Sequence, residues 1–210
     1  MKTCRQSFLL ALTVLFTPAI LTAEPPEGFT SLFDGKTLTG WEGNEKMFRV
    51  EEGAIVGGNL QEKIPRNEFL CTTKEYENFE LRLKVKALGD GVNAGVQFRT
   101  KRIPNHHEVS GYQADVGAGW WGKLYDESRR NKVLAGDEAK TVNAGEWNDY
   151  VIRCEGPHIQ LWLNGEQTVD YTEKQADIAR KGIIAVQIHG GPPSEAWYKD
   201  IVIQELPVEE

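Results

Sequence analysis

Apolar and polar residues alternate with a period of two along several stretches of the chain. The alternation is clearest in Phe79–Lys86, Asn93–Arg99 and His158–Leu163. Successive side chains of a β-strand point to opposite faces, so this period is the pattern of a half-buried strand. The third stretch runs into Asn164-Gly165, a dipeptide typical of tight hairpin turns. The pattern therefore predicts short strands joined by turns.

Four more segments fit strands, whereas helical periodicity is scarce. The further predicted strands are Tyr112–Val116, Lys123–Asp126, Gly182–Gly191 and Trp197–Leu206. Thr172–Ala179 could hold a helical turn or two. Many short strands, 21 glycines and no alternation of strands with helices predict an all-β fold. We expect an antiparallel sandwich of two sheets rather than a doubly wound sheet.

The outer faces of three predicted strands carry amides and charged groups in place of the usual surface residues. The pairs are Gln97/Arg99, Gln113/Asp115 and Gln187/His189. A sandwich strand normally has one face in the core and one in water, so a solvated sheet face explains any single pair. Three pairs in one chain favour a different interpretation, in which neighbouring strands combine them into one polar shelf.

A cluster of aromatic residues follows the second of these pairs. Trp120 and Trp121 come after Asp115 among glycines, and Tyr125 lies on the next predicted strand. Two adjacent tryptophans cannot both face one side of a strand, so one of them is expected to belong to the core or to a wall. Flat aromatic surfaces beside amides and a carboxylate suit a sugar-like ligand better than a plain core.

The first 23 residues have the pattern of a secretory signal peptide. Lys2 and Arg5 precede the apolar run Phe8–Phe16, and small residues ending at Ala23 provide a cleavage site. The apolar run is too short to span a bilayer, and no other apolar run in the chain is longer. We therefore expect an exported protein, periplasmic or extracellular, without membrane insertion. Its parts would be a leader at 24–27, one domain at 28–206 and a tail at 207–210.

Charge and cysteine content narrow the function classes. The formal net charge is −7, and it becomes −9 once Lys2 and Arg5 leave with the signal peptide. An acidic chain without a basic cluster argues against nucleic acid or an anionic membrane as a partner. Cys71 and Cys154 would remain after cleavage, in apolar contexts that favour buried thiols. An exported protein could also bridge them in a disulfide.

The spacing of metal-ligating residues gives no reason to expect a cofactor. The chain has no Cys-x-x-Cys, His-x-His or His-Glu-x-x-His pattern. Asp115 and His189 could share a divalent ion, with Glu68 on another strand, but no spacing supports such a site. No cofactor is therefore predicted.

Eight short motifs occur in an order that resembles one protein family. They are Phe29–Trp41 (FTSLFDGKTLTGW), Phe69–Thr73 (FLCTT), Tyr76–Arg82 (YENFELR), Asn93–Arg99 (NAGVQFR), Gly111–Tyr112, Gly145–Asn148 (GEWN), Leu163–Gly165 (LNG) and Val186–Gly190 (VQIHG). The family is that of the 3-keto-disaccharide hydrolases, long carried as a domain of unknown function and abundant in secreted bacterial proteins. The likeness covers about residues 28–206, and the joint order of the motifs makes it specific.

The resemblance implies both a fold and a reaction. The fold is a jelly-roll sandwich of the concanavalin A-like lectin and glucanase type, with the ligand on its concave sheet. The substrates are 3-keto-glycosides, sugars already oxidised at C3. Because a ketone at C3 acidifies the hydrogen on C2, a base can remove that proton and expel the substituent at C1. Water then adds back, and the net reaction is hydrolysis of the glycosidic bond.

The polar shelf supplies candidates for this chemistry. Asp115 and His189 are the predicted catalytic base and acid, in an order that stays open. The predicted substrate-binding residues are amides, a cation and aromatic rings, namely Gln97, Arg99, Gln113, Trp120, Trp121, Tyr125 and Gln187. Family members commonly read Gly-Tyr-Glu-x-Gln where this chain reads Gly111–Asp115 (GYQAD), so the acid lies two places further along the same face.

Two other functions stay open at this point. A conventional retaining glycosidase needs two carboxylates close together, commonly alternating on one strand, and no strand here carries Glu-x-Asp-x-x-Glu. A non-catalytic carbohydrate-binding module would keep the aromatic surface and the amides without needing Asp115 or His189.

Overall fold

Fifteen β-strands form the part of the chain that the computed structural model describes, residues 24–208. The predicted signal peptide lies outside this range. The strands are β1 (Thr30–Ser31), β2 (Trp41–Glu42), β3 (Phe48–Glu51), β4 (Ala54–Asn59), β5 (Glu68–Tyr76), β6 (Phe79–Leu88), β7 (Asn93–Arg102), β8 (Val109–Gly117), β9 (Leu124–Glu127), β10 (Lys132–Ala135), β11 (Asn148–Glu155), β12 (His158–Leu163), β13 (Glu166–Thr172), β14 (Gly182–Ile188) and β15 (Ser194–Glu205).

Residues 24–208 contain no helix, and hence none with the length and apolar character that crossing a membrane requires. The expectation of helical turns at Thr172–Ala179 is wrong. Thr172 ends β13, and the residues after it form irregular backbone and a turn. These eight residues include three charged ones and no apolar stripe, so they offer little packing to stabilise an isolated turn of helix.

The strands form two antiparallel sheets. We call the sheet with strand order β13-β12-β11-β6-β15-β4-β3, to which β1 adds at β15, the back sheet. The front sheet has the order β10-β9-β8-β7-β14-β5-β2. The predicted all-β sandwich of two antiparallel sheets is confirmed. The Asn164-Gly165 turn also appears as expected, joining β12 to β13 with φ of +48° and +82°.

Alternate residues of both sheets build the core between them. In β6 the alternation is regular, with Phe79, Leu81 and Leu83 buried in the same apolar cluster as Val96 of β7 and Tyr112 of β8. Strands β7 and β8 differ from β6, because most of their residues on both faces are buried. The outer face of the front sheet is therefore covered over part of its area, and polar residues on that face are shielded from water.

The front sheet curls at a bulge in β7. Phe98 pairs with Tyr112 and Lys101 with Ser110, so β7 has one residue more than β8 between these pairs. An extra residue in one strand bends it and increases the local twist. Beyond the bulge, Val109 at the start of β8 packs against a small apolar cluster of β5 and β14, formed by Phe69, Cys71 and Ala185. The beginning of β8 thus bends over the outer face of its own sheet.

The bulge also decides where Arg99 goes. Arg99 has φ of +46°, a left-handed conformation that is unusual for a residue with a side chain. Its guanidinium donates to the carbonyl of Glu77 at 2.9 Å, to the carbonyl of Gly156 at 2.6 Å and to Asn78 Oδ1 at 3.1 Å. The prediction that Arg99 shares a face with Gln97 assumed uninterrupted alternation. The bulge ends that alternation, and Arg99 ties three loops together instead.

Both cysteines within the described residues 24–208 are free thiols. Cys71 lies in the outer apolar cluster of the front sheet, and Cys154 lies in the core between the sheets. Burial raises the pKa of the Cys71 thiol to about 11 and that of the Cys154 thiol to about 12. The buried, unreactive thiol is therefore the form that the fold stabilises.

Candidate active site

A cleft of about 240 Å³ opens on the outer face of the front sheet. Its walls come from three neighbouring strands, the loop after β8 and the residue that follows β14. The lining residues are Asn93, Gln113, Asp115, Trp120, Tyr125, Glu127 and His189. The cleft is smaller than the roughly 300–1,000 Å³ of pockets for drug-sized ligands, so a single sugar ring is the size of group that it suits.

Three side chains form a hydrogen-bonded row across β7 and β8. Gln97 Nε2 donates to Gln113 Oε1, and Gln113 Nε2 donates to Asp115 Oδ1. The row needs Gly95 beside it, because a Cβ at that position would stand 2.6 Å from Gln113 Cδ. The amides therefore fix the direction of the Asp115 carboxylate at the edge of the cleft.

Asp115 is the most perturbed carboxyl group in the cleft. It is buried, and burial raises the pKa of its carboxyl from the usual 3.8 to about 7. The hydrogen bond from Gln113 and the charge of Lys123 lower this pKa, while the charge of Glu127 raises it. Asp115 Oδ2 has no hydrogen-bond partner within residues 24–208. The cleft is therefore lined by a carboxyl that can hold or release its proton near neutral pH.

Glu127 is a second carboxylate of the cleft, and the sequence prediction missed it. Burial is the main cause that raises the pKa of its carboxyl, with the charge of Glu108 as a further cause. Its Oε2 accepts a hydrogen bond from Gln187 Nε2 at 3.4 Å. The predicted strand ended at Asp126. One more residue of alternation from Tyr125 would have placed Glu127 on the same face.

The curl of the front sheet brings Glu127 to this position. The register places it opposite Gly111, near the start of β8, which bends over the sheet. A Cβ at Gly111 would come within 2.5 Å of Thr100 Cα, so this approach of β8 to β7 requires glycine. The bend carries Glu127 toward Gln187 on β14, although two strands separate β9 from β14.

His189 closes the cleft on the side of β14. Its backbone N–H donates to the carbonyl of Asn93 at 3.0 Å, which fixes the residue against the start of β7. Its Nδ1 lies 2.7 Å from the carbonyl of Gly190. A carbonyl accepts only, so Nδ1 carries a proton and Nε2 is the acceptor nitrogen of the neutral ring. His189 can therefore exchange a proton at Nε2.

The two adjacent tryptophans have different places. Trp120 is 38% exposed and lines the cleft, with its ring at 6.2 Å and 87° from that of Tyr125. Trp121 is 6% exposed and packs in the core. The expectation that one of the pair belongs to the core fits this arrangement, and that residue is Trp121. The rings of Trp120 and Tyr125 give the cleft its aromatic surface.

The predicted site residues thus fall into three groups. Asp115, His189, Gln113, Trp120 and Tyr125 meet in the cleft. Gln97 and Gln187 are fully buried, and each bonds a cleft-lining side chain. Arg99 and Trp121 are elsewhere, for the reasons given above, and we do not retain them as ligand-binding residues.

Three buried oxygens at or behind the cleft have no hydrogen-bond partner among residues 24–208, namely Asp115 Oδ2, Gln97 Oε1 and Gln187 Oε1. Gln97 and Gln187 are fully buried and do not line the cleft. In the same part of the chain no three His, Cys, Asp or Glu side chains are grouped as a metal site.

Similar folds occur among solved structures. A protein of Parabacteroides distasonis provisionally described as a glycosyl hydrolase matches with a TM-score of 0.67 and 24% identity, over 86% of this chain and 95% of the other. The carbohydrate-binding module CBM66 of Bacillus subtilis matches with a TM-score of 0.63 and 11% identity, over 79% and 96%. These likenesses, with a galectin-like protein of Bacillus subtilis, confirm the jelly-roll sandwich.

The family comparison covers nearly the whole described chain. No curated protein matches at a significant level. The model of the 3-keto-alpha-glucoside-1,2-lyase-like domain matches residues 28–204, which include every residue of the cleft. This agrees with the resemblance that the eight sequence motifs carry. The chain therefore belongs to the 3-keto-α-glucoside-1,2-lyase-like domain family.

Proposed function

We propose that the protein cleaves the glycosidic bond of 3-keto-glycosides by elimination followed by hydration. The observation that carries this proposal is Asp115, a buried carboxyl whose pKa of about 7 suits proton transfer, in a cleft of the size of one sugar ring. Membership of the lyase-like family supports a carbohydrate-active enzyme. An exported location, which the first 23 residues predict, is part of the same proposal.

The elimination begins with removal of the proton on C2. Asp115, in its ionised form, takes this proton, and the C2–H electrons form a double bond to C3 while the ketone oxygen gains negative charge. Asp115 Oδ2 accepts no hydrogen bond within residues 24–208, so its lone pairs stay available for a proton. The hydrogen bond from Gln113 to Oδ1 holds the carboxylate in one orientation. A fixed base needs no reorganisation when the substrate binds.

Expulsion of the leaving group needs an acid. The enolate electrons form the C1–C2 double bond, the C1–O bond breaks, and a proton goes to the departing oxygen. His189 and Glu127 line the cleft, and either can hold such a proton. We assign the acid to the imidazolium form of His189, which gives its Nε2 proton to the leaving oxygen. Glu127 is left to direct water, since it already accepts a hydrogen bond from Gln187.

Hydration completes the reaction. Water adds its oxygen to C1 and gives a proton to the imidazole of His189. The Asp115 carboxyl exchanges its proton with solvent while the unsaturated intermediate is bound, and it then protonates C2. The sum is one glycoside and one water consumed, with one free 3-keto sugar and one alcohol formed. Asp115 and the acid both regain their starting protonation, so the cycle closes without a cofactor in its proton balance.

A conventional glycoside hydrolase is a second candidate, which one observation favours. Asp115 and Glu127 are two carboxyl groups with raised pKa values in one cleft, each raised mainly by burial. Most glycosidases use a pair of carboxyl groups on either side of the glycosidic bond as their catalytic groups. The two candidates differ in substrate, because only elimination needs the ketone at C3.

The test compares oxidised with unoxidised substrates. Purified protein is incubated with 3-keto-glucosides and the matching glucosides, in both anomers and with and without a chelator, and aglycone release is followed by NMR. We expect release from the 3-keto compounds only. Asp115→Asn should lose at least about 100-fold in kcat, the contribution of a positioned general base. Asp170→Asn, a change of an exposed carboxylate on the back sheet, is the matched control and should retain activity.

Two results would overturn the proposal. Release from unoxidised glucosides alone assigns the cleft to conventional hydrolysis. Binding of both sugars without turnover of either assigns it to a carbohydrate-binding module.

A further inference from the structure

A second cavity lies beside the cleft on the outer face of the front sheet. It has a volume of about 660 Å³ and is lined by basic and polar residues, among them Arg66, Arg102, His106 and His107. We call it the basic pocket. Its charged lining residues are Arg66, Arg102 and Glu68, so two guanidinium groups stand against one carboxylate in a chain of formal charge −7. An excess of positive charge in a cavity suits a ligand group that carries negative charge.

The charges inside the basic pocket do not cancel. Arg66 Nε lies 3.0 Å from Glu68 Oε1, so these two form an ion pair. Arg102 donates to the backbone carbonyl of Glu42 and makes no ion pair within the described residues 24–208. A neutral carbonyl leaves the charge of a guanidinium uncompensated, and its remaining N–H groups can bind an anion in a fork. Arg102 is therefore the group most suited to an acidic ligand.

The basic pocket adjoins the cleft at His189. A Cβ at Gly190, the next residue, would stand 2.8 Å from Arg66 Cα, so the chain at Arg66 touches the chain beside His189. On the floor, Phe69 of the basic pocket pairs with Gln187, and Gln187 bonds Glu127 of the cleft. Neighbouring strands lie only about 4.8 Å apart. One ligand can therefore extend from the cleft into the basic pocket.

A single segment between β7 and β8 serves both cavities. His106 and His107 line the basic pocket, while Glu108, the next residue, lies near enough to Glu127 for its charge to raise the pKa of that carboxyl. Asn67 Nδ2 donates to Glu108 Oε1 at 3.2 Å and Asn67 Oδ1 accepts from the N–H of Gly190 at 3.0 Å. These bonds fix the segment to the edge of the cleft where His189 stands.

We infer that the basic pocket binds an anionic group, such as a carboxylate or a sulfate, on the leaving part of the substrate. This inference rests on the proposed function, because it takes the sugar to occupy the cleft and the leaving oxygen to face His189. The preferred substrates are then glycosides of acidic alcohols or phenols. The neutral sugar stays among amides and aromatic rings, and the anionic end reaches Arg102.

The test uses two substrates of similar shape that differ in the charge of one group. The 3-keto-glucosides of 4-hydroxybenzoate and of 4-hydroxybenzamide have leaving groups of similar shape. We expect kcat/KM for the acid to exceed that for the amide by about tenfold, the range of one partly exposed charge-assisted hydrogen bond. The ratio should fall toward one in Arg102→Gln and at high salt, because salt screens exposed charges. Arg102→Lys should retain part of the ratio, and Arg153→Gln on the back sheet should leave it unchanged.

Binding measurements keep this inference separate from the reaction. The unoxidised glucosides of the same acid and amide are titrated calorimetrically into wild type and Arg102→Gln. If neither 3-keto compound is cleaved, the proposed function fails, while a binding preference for the acid that depends on Arg102 still supports the anion site. Equal affinity for acid and amide overturns the anion site. So does competition by inorganic sulfate at Arg102 without any preference for the acidic glycoside.

Discussion

At the scale of single residues, Asp115 carries most of the proposed chemistry. Its carboxyl is held by a neighbouring amide on one oxygen and is free on the other. Burial raises the pKa of this group to about 7, above its value of 3.8 in an unfolded chain. The folded protein therefore binds the Asp115 proton more tightly than the unfolded chain does, and ionising this group costs stability.

The pH dependence of stability follows from this shift. Between about pH 4 and pH 7 the folded state keeps the Asp115 proton and the unfolded state loses it, so this group makes stability fall as the pH rises. Asp115→Asn removes the effect. We expect equal stability of variant and wild type near pH 4, and at pH 8 a variant more stable by up to roughly 4 kcal/mol. Urea unfolding at the two pH values measures this. An equal difference at both would show that Asp115 keeps an ordinary pKa.

Variants of the two adjacent tryptophans should affect different properties, sugar binding for Trp120 and stability for Trp121. Trp120→Ala removes an exposed ring of the cleft, so sugar affinity should fall roughly tenfold with little change in unfolding. Trp121→Ala leaves a cavity in the core and should cost about 3–5 kcal/mol of stability. Calorimetric titration and urea unfolding of both variants check this. Loss of stability in the first variant and loss of affinity in the second would reverse the two roles.

At the scale of the element, the bulge in β7 determines the shape of the site. It bends the front sheet, and the bend brings Glu127 of β9 within hydrogen-bonding reach of Gln187 on β14. Arg99 stabilises this bend through the carbonyls of Glu77 and Gly156 and the side chain of Asn78. Arg99 lies only two residues from Gln97 in the sequence. It affects the site by stabilising the bend of the front sheet and not by lining the cleft.

Arg99→Ala tests that role. The change leaves two carbonyl acceptors and an amide without a charged donor, and we expect a loss of about 3 kcal/mol in unfolding free energy. Arg82→Ala, which removes an exposed arginine of the back sheet, should cost less than about 1 kcal/mol. The folded Arg99 variant loses no direct contact with the sugar, so its sugar affinity should change only as far as the cleft changes shape. A variant with wild-type stability and abolished binding would return Arg99 to the ligand-binding residues.

The same element marks the limit of what the sequence predicts. Alternation alone finds the strands that hold Gln97, Gln113 and Asp115, because the period of two persists through each of them. It fails at Arg99, because the bulge changes which face of the sheet the following side chains occupy. The local sequence pattern gives no sign of this bulge. It also stops before Glu127, where the strand continues one residue beyond its apolar part. The meeting of β9 and β14 follows from the curl, a property of the whole sheet.

At the scale of the molecule, two antiparallel sheets place all the site residues on one outer face. The back sheet supplies the other half of the core and none of the residues that line the cleft. Changes on the back sheet are therefore suitable controls for every experiment on the site. The fold class was predictable, because short alternating strands without helices permit few other architectures. The curvature of the front sheet was not.

Deuterium incorporation at C2 tests the central claim most directly. A 3-keto-glucoside is cleaved in D2O under single-turnover conditions, and the first product formed is trapped by reduction and examined by mass spectrometry and NMR. Elimination by Asp115 predicts one solvent deuterium at C2 of the product, beyond the exchange seen without enzyme and with Asp115→Asn. Cleavage at a comparable rate with the original hydrogen kept at C2 would contradict the account, because the glycosidic bond would then break without the proton transfer assigned to Asp115.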